Sequence, residues 1–161
     1  MAEQVKKIKC CDKLYSETLY FDIKQTAKYC KMLGLQLFSQ LNYSITPEEW
    51  VVLDIVSKTP DICQRDLAKN LLKDRANTGR LLDSLEKQEM IKRIVDVKNN
   101  RLVKRIVLTE KGYDDLQRIN KELEPIFDKV SEKFSEEETR QTKQLLKKLR
   151  DSFQEIVNLK I

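Results

Sequence analysis

The chain has 161 residues, a net charge of +5, and 40% hydrophobic against 35% charged residues. That is enough for one helix-rich domain with a real core. It contains no histidine, which removes Ser-His and Cys-His nucleophile pairs, zinc-protease motifs and most transition-metal sites. Three glycines and three prolines cannot furnish a Gly-rich phosphate loop, and so few breakers favour long helices over a sandwich or barrel.

Leu14 to about Asn42 carries apolar residues at helical spacing (Leu14, Phe21, Ala27, Cys30, Leu37, Leu41), which predicts one long helix with a bend or break near Gly34. Thr46-Pro47-Glu48-Glu49 is a helix start: Thr46 can cap, Pro47 suits the first helical position and Glu49 can close a capping box. This helix runs through Trp50, Leu53 and Val56 and stops before Pro60. A short helix follows from about Cys63 to Leu71, with Leu67, Ala68 and Leu71 inward. After a brief connector, Asp74 caps a helix to about Glu89. Two helices this close, joined by a tight turn, have helix-turn-helix spacing.

Beyond them the period changes. Ile91 to Val97 and Leu102 to Leu108 are rich in Ile and Val, and Lys98-Asn99-Asn100-Arg101 lies between them; paired asparagines suit a hairpin turn. A basic hairpin after the second helix is a wing. Thr109 caps the next helix, with apolar positions Tyr113, Leu116, Ile119, Leu123, Phe127, Val130 and Phe134, and Pro125 as a kink or local restart. Ser135-Glu136-Glu137-Glu138 is a second capping box, opening a helix with Leu145, Leu146, Leu149, Phe153 and Ile156 on one face.

Charge singles out the middle of this series. Between Asp61 and Lys111 there are 13 Lys/Arg against 8 Asp/Glu, and the rest of the chain holds 18 of each. The surplus is a nucleic-acid footprint or, alternatively, a solvated basic face. On the helix capped by Asp74, a wheel centred on Leu85 puts Thr78, Leu81 and Leu82 inward, and Ala76, Gly79, Arg80, Asp83 and Lys87 outward, flanked by Arg75 and Asn77. Ala76 and Gly79 lack bulk and would let the helix approach base edges, although Gly79 could instead relieve crowding against a neighbouring helix. Arg80 can pair with a guanine and Asn77 with an adenine; Asp83 can hold Arg80 one turn away. Arg101 at the wing tip suits a narrow minor groove, and Lys98 and Lys104 suit phosphates. The candidate DNA-binding set is Arg75, Ala76, Asn77, Thr78, Gly79, Arg80, Lys98, Arg101 and Lys104.

Three stretches resemble the multiple-antibiotic-resistance regulator (MarR) family of bacterial transcription factors. They are Cys63-Gln64-Arg65-Asp66-Leu67-Ala68, the helix from Asp74 to Lys87, and Leu108-Thr109-Glu110-Lys111-Gly112. The sequence departs from the family at the wing tip, where Asn100-Arg101-Leu102 lacks the acidic brace. Glu89 stands where the family has a glycine, and Cys63 where it has a Ser or Thr cap. The resemblance implies a homodimer with interlocking terminal helices on a pseudo-palindromic operator, and release by a small aromatic or lipophilic ligand or by thiol oxidation. Tyr29, Tyr43 and Trp50 are the candidate ligand pocket. Cys11 and Cys63, beside Lys9, Lys13 and Arg65, are the candidate redox thiols; Cys30 reads as packing.

The expected fold is mainly α with a small β-hairpin: a winged helix-turn-helix over 45–108, within one domain whose segments 1–44 and 109–161 form dimerisation helices. The expected function is a sequence-specific DNA-binding regulator acting as a homodimeric repressor on double-stranded DNA. The competing reading is a winged-helix interaction module with an acidic protein partner. No enzyme, cofactor or metal is expected. No apolar run is long enough for a membrane span, and Met1 to Lys7 leads into no signal-peptide pattern, so the expected location is cytoplasmic.

Overall fold

The computed structural model describes residues 14–98 and 101–156, and the side chains of 96–103 lie outside that description. The chain divides into two compact units, Met1–Pro47 and Glu48–Ile161.

In the first unit a 3-10 turn, Tyr15–Glu17, precedes helix α1, Leu19–Gln40. The expected single helix from Leu14 is therefore split at its start rather than at Gly34. Thr18 is extended and its side chain accepts the Phe21 N–H at 3.2 Å, a cap that starts α1 afresh; α1 then runs unbroken through Gly34. It ends where Asn42 takes a positive φ of 51° and the Tyr43 N–H reaches back to the Phe38 carbonyl. Only Phe38 of α1 is buried. Tyr29, Met32, Leu33 and Leu35 are exposed.

The second unit is built on helices α2 (Pro47–Lys58, whose first residue closes the first unit), α3 (Gln64–Leu71) and α4 (Arg75–Lys87). Strands β1 (Ile91–Lys98) and β2 (Arg101–Leu108) follow, then α5 (Glu110–Ser131) and α6 (Glu136–Ile156). The strands form one antiparallel pair in register from Ile91 opposite Leu108 to Lys98 opposite Arg101. Residues before α3 add a short extended piece to it: the Ile106 N–H bonds the Ile62 carbonyl at 3.0 Å and Cys63 bridges Arg105. Mainly helical, with one hairpin after the second helix of a tight pair, this is the expected winged helix-turn-helix order.

Its core is drawn from every element but α6. Val52, Leu53 and Val56 of α2 are buried, as are Leu67 and Ala68 of α3, Leu82 and Leu85 of α4, Ile91 and Ile106 of the hairpin, and Leu116, Ile119 and Leu123 of α5. Burying a leucine completely stabilises by roughly 1.5–3 kcal/mol, so this cluster holds the unit together.

Helix ends follow from a chain poor in glycine. Helix α4 closes with the Met90 N–H on the Leu85 carbonyl and the Glu89 N–H on the Glu86 carbonyl, both at 3.0 Å, the paired bonds of a Schellman motif. Glu89 holds the left-handed position, at φ 60°, where a side chain costs about 1–2 kcal/mol. Just beyond, Thr109 caps α5 and its hydroxyl donates to the Glu89 carbonyl at 2.6 Å, while Lys111 Nζ donates to the Gln88 carbonyl at 2.7 Å. Gly112 completes this junction: a Cβ there would lie 1.9 Å from the Met90 carbonyl oxygen, so the backbones meet only because no side chain intervenes. Pro125 does not restart α5, which is continuous from Glu110 to Ser131; the proline is exposed, where water can replace the bond its ring removes.

Candidate nucleic-acid interface

Helix α4 is pinned from three sides. Asp74 accepts the Asn77 N–H on Oδ1 at 2.7 Å and caps its first turn. Thr78, Leu82 and Leu85 bury its inner face. Gln64 of α3 donates to the Arg75 carbonyl at 3.0 Å and ties the two helix starts together. The face left outside carries Arg75, Ala76, Asn77, Arg80, Asp83 and Lys87, all exposed.

Two members of the candidate set change role. Thr78 is completely buried and its hydroxyl donates to the Asp74 carbonyl at 2.9 Å; it belongs to the core and drops out of the interface. Gly79 faces Gln64, whose Nε2 would lie 3.2 Å from an added Cβ. The absent side chain leaves room for the Gln64 bridge, which supports the crowding alternative.

The polar groups on the outer face are ordered. Asn77 Nδ2 donates to Asp74 Oδ2 at 2.5 Å, and Arg80 Nη1 donates to Asn77 Oδ1 at 3.5 Å. The Asp74 carboxyl is held below the ordinary carboxylate range by the Asn77 backbone N–H first and its side-chain amide second. Asp83 does not hold Arg80, as its spacing suggested. It pairs with Arg93 of β1 at 2.7 Å, and the same guanidinium binds Glu86 through Nε at 2.9 Å and through Nη2. Arg93 holds the Glu86 carboxyl below its ordinary value, and Glu86 in turn raises Arg93. This clamp fastens the first strand of the wing to α4. Two carboxylates three residues apart, followed by a basic strand, are its only trace in sequence, and sequence reasoning missed it.

The clamp shapes the electrostatics. Asp61 is taken by Arg105 at 2.8 Å, Asp83 and Glu86 by Arg93, and Asp74 by its cap. Lys69, Arg75, Arg80, Lys87 and Lys92 are exposed and pair with no carboxylate among the described residues. The regional surplus of positive charge is thereby displayed instead of being neutralised internally. Lys104 is exposed on β2. Lys98 and Arg101 face each other in register at the end of the hairpin, and their side chains lie outside the described residues.

Trp50 is half-buried on α2; its indole N–H donates to Asn120 Oδ1 at 2.8 Å and its ring stacks on Phe127 with centroids 6.4 Å apart. It lines an open trough of about 840 Å³ with Arg118, Lys121, Leu123 and Phe127 of α5. Tyr29 and Tyr43 belong to the first unit; Tyr29 is exposed and Tyr43 packs edge-on against Phe38 at 4.9 Å. Cys63 is half-buried and its Sγ–H donates to Asp66 Oδ2 at 3.1 Å, the main cause of that carboxyl's lowered pKa. Cys30 is exposed and not packed, and Cys11 lies outside the described residues. Among the described residues no group of three or more Cys, Asp or Glu could hold a metal, and no helix is long and apolar enough to cross a membrane.

Comparison with known proteins agrees with the fold. Residues 45–103 match the model of the MarR family. A crystal structure of an S. aureus MepR–DNA complex is 26% identical, covers 88% of this chain and 100% of its own, and superposes with a TM-score of 0.74. The transcriptional regulator SlyA is 28% identical over 84% of this chain and 94% of its own, with a TM-score of 0.72. S. aureus MepR in its DNA-binding conformation is 27% identical over 85% of this chain and 99% of its own, at 0.73.

Proposed function

We propose that the chain is a DNA-binding transcription regulator of the MarR type, working as a homodimeric repressor released by a small aromatic or lipophilic ligand. The observation that carries the reading is α4 itself. Its inner face is locked into the core, while Arg75, Ala76, Asn77 and Arg80 stand exposed at its N-terminal end. In a helix-turn-helix this end of the second helix meets base edges in the major groove, and Lys98, Arg101 and Lys104 of the wing serve the adjacent backbone and minor groove.

Dimerisation is supported by apolar surface that one chain leaves uncovered. The second half of α5 exposes Phe127 and Val130, and α6 buries no residue of its own while exposing Leu145, Leu146 and Ile156. A second copy covering these faces would place two α4 helices one turn of DNA apart, about 34 Å. Such a dimer, seated on a promoter, represses by occupying it.

Release by a ligand is supported by the Trp50 trough. Its floor is α5, and the start of α5 is bonded to the end of α4 through Thr109, Lys111 and Gly112. A molecule wedged between Trp50 and Phe127 would displace α5 and pull on α4. Thiol oxidation at Cys63 has less support, because the Sγ–H is engaged with Asp66 and half-buried.

The test is binding to operators selected from random duplexes, titrated with salt. Contacts to six to ten phosphates give a slope of log K on log salt of about −5 to −9, and small phenols should quench Trp50, the single tryptophan, while releasing DNA. A protein with no salt-dependent retention of any duplex is instead the interaction module.

A further inference from the structure

The outer face of α4 shows two polar side chains suited to base edges, Asn77 and Arg80, and the geometry does not treat them alike. An adenine is read by an amide that uses both ends at once, the oxygen accepting from N6 and the nitrogen donating to N7. The Asn77 amide has one partner within the protein at each end, a short bond at the nitrogen and a long one at the oxygen. Nδ2 donates to Asp74 Oδ2 at 2.5 Å, a charge-assisted bond, and Oδ1 faces Arg80 Nη1 at 3.5 Å. The carboxylate fixes which end of the amide points which way, because only the nitrogen can donate to it. Asp74 is itself immobilised by capping α4. Arg80 is the opposite case. Asp83, the one acidic residue on this face that could have pinned it from the next turn, is drawn off by Arg93. Its guanidinium touches a single neutral amide oxygen, and its remaining donors are directed at nothing charged among the described residues.

We infer that Arg80 alone carries the base selectivity of α4, and that Asn77 is a positioning residue, oriented by Asp74, that aims the Arg80 guanidinium. The inference rests on the DNA-binding reading above and deepens it. Asp74 and Asn77 form a fixed bracket on one side of Arg80, and the Asp83–Arg93 pair on the other side keeps a competing carboxylate away. Arg80 then meets a guanine with its side chain already extended from the helix, at a smaller loss of conformational freedom on binding.

The test uses the full chain and its best operator, chosen from random duplexes, with base preference mapped position by position for Arg80→Ala, Asn77→Ala, the double variant and Asp74→Asn. Arg80→Ala should lower discrimination at one base pair per half-site by about 5- to 150-fold, the range for losing one bidentate contact. Asn77→Ala should relax that same base pair and no other, and should add nothing in the Arg80→Ala background. Asp74→Asn keeps a good cap but removes the charge, and should relax the same position less. All three side chains are exposed, and unchanged circular dichroism separates these effects from misfolding. Relaxation of a different base pair by Asn77→Ala, additive with Arg80→Ala, would overturn the inference and leave the regulator reading standing. A wild-type chain that selects no sequence would overturn both.

Discussion

The central region and the terminal helices use the same apolar periodicity and end differently. From Val52 to Leu123 the inward residues of four helices and a hairpin close on one another until Leu53, Leu67, Leu82 and Leu85 are fully buried. In the second half of α5 and along α6 the stripe continues at the same spacing, and Phe127, Val130, Leu145, Leu146 and Ile156 stay exposed. Helix α5 passes from one regime to the other: Leu116, Ile119 and Leu123 are buried, Phe127 and Val130 are not. Periodicity alone therefore says that a face is apolar and not what lies against it. A region that closes on itself can display a polar surface for a ligand, and one that stays open leaves apolar surface exposed.

The contrast can be broken at its firmest point. Gly112→Ala puts a Cβ 1.9 Å from the Met90 carbonyl oxygen, so backbone must move; a loss of about 1–3 kcal/mol or more is expected, read as a lowered urea midpoint. An unchanged midpoint would mean that the α4–α5 junction is not tight. At the open end, Leu145→Glu with Leu149→Glu should turn a dimer into a monomer by sedimentation velocity at micromolar concentration. Near-native helicity should remain, because neither residue is buried in the chain. Unfolding of the central core by this pair would erase the distinction between the regions.

A smaller effect concerns the clamp between wing and α4. The Glu86 carboxyl is held below its ordinary value by Arg93, so the clamp's contribution is present in full above the unfolded carboxyl's value and is lost as pH falls through the lowered one. The Arg93 Nε–H should be protected from exchange at pH 7 and lose protection only once pH falls below the ordinary glutamate range. Protection that survives protonation of the Glu86 carboxyl would place the stabilisation elsewhere. Smallest is Glu89→Gly, which relieves a left-handed side chain and should raise stability by up to about 1 kcal/mol. A loss would mean that the Glu89 side chain contributes something the backbone does not reveal.

Local signals in the sequence were the legible ones. Asp74, Thr109 and Ser135 cap the helices they were expected to cap, because a cap is decided within three residues. The two strands of the hairpin were marked by their Ile and Val content, and each was read one residue short. What sequence did not yield depends on residues distant in the chain. Arg93 reaches back ten positions to Asp83 and seven to Glu86, and no periodicity encodes that. Gly79 left two readings open, approach to DNA or room for a neighbouring helix, and its neighbour is Gln64 of α3. Thr78 lies on the inward side of the helical wheel, and the structure buries it completely.

The central claim is that a closed winged helix displays the N-terminal face of α4 and that the open terminal helices supply it in duplicate. Methylation-interference footprinting of the full chain on its selected operator tests this most directly. Two patches of major-groove guanine interference, centred one helical turn apart and related by a dyad, are predicted, with the wing's effects on the flanking minor groove. A single patch, or protection confined to phosphates without guanine interference, would contradict it.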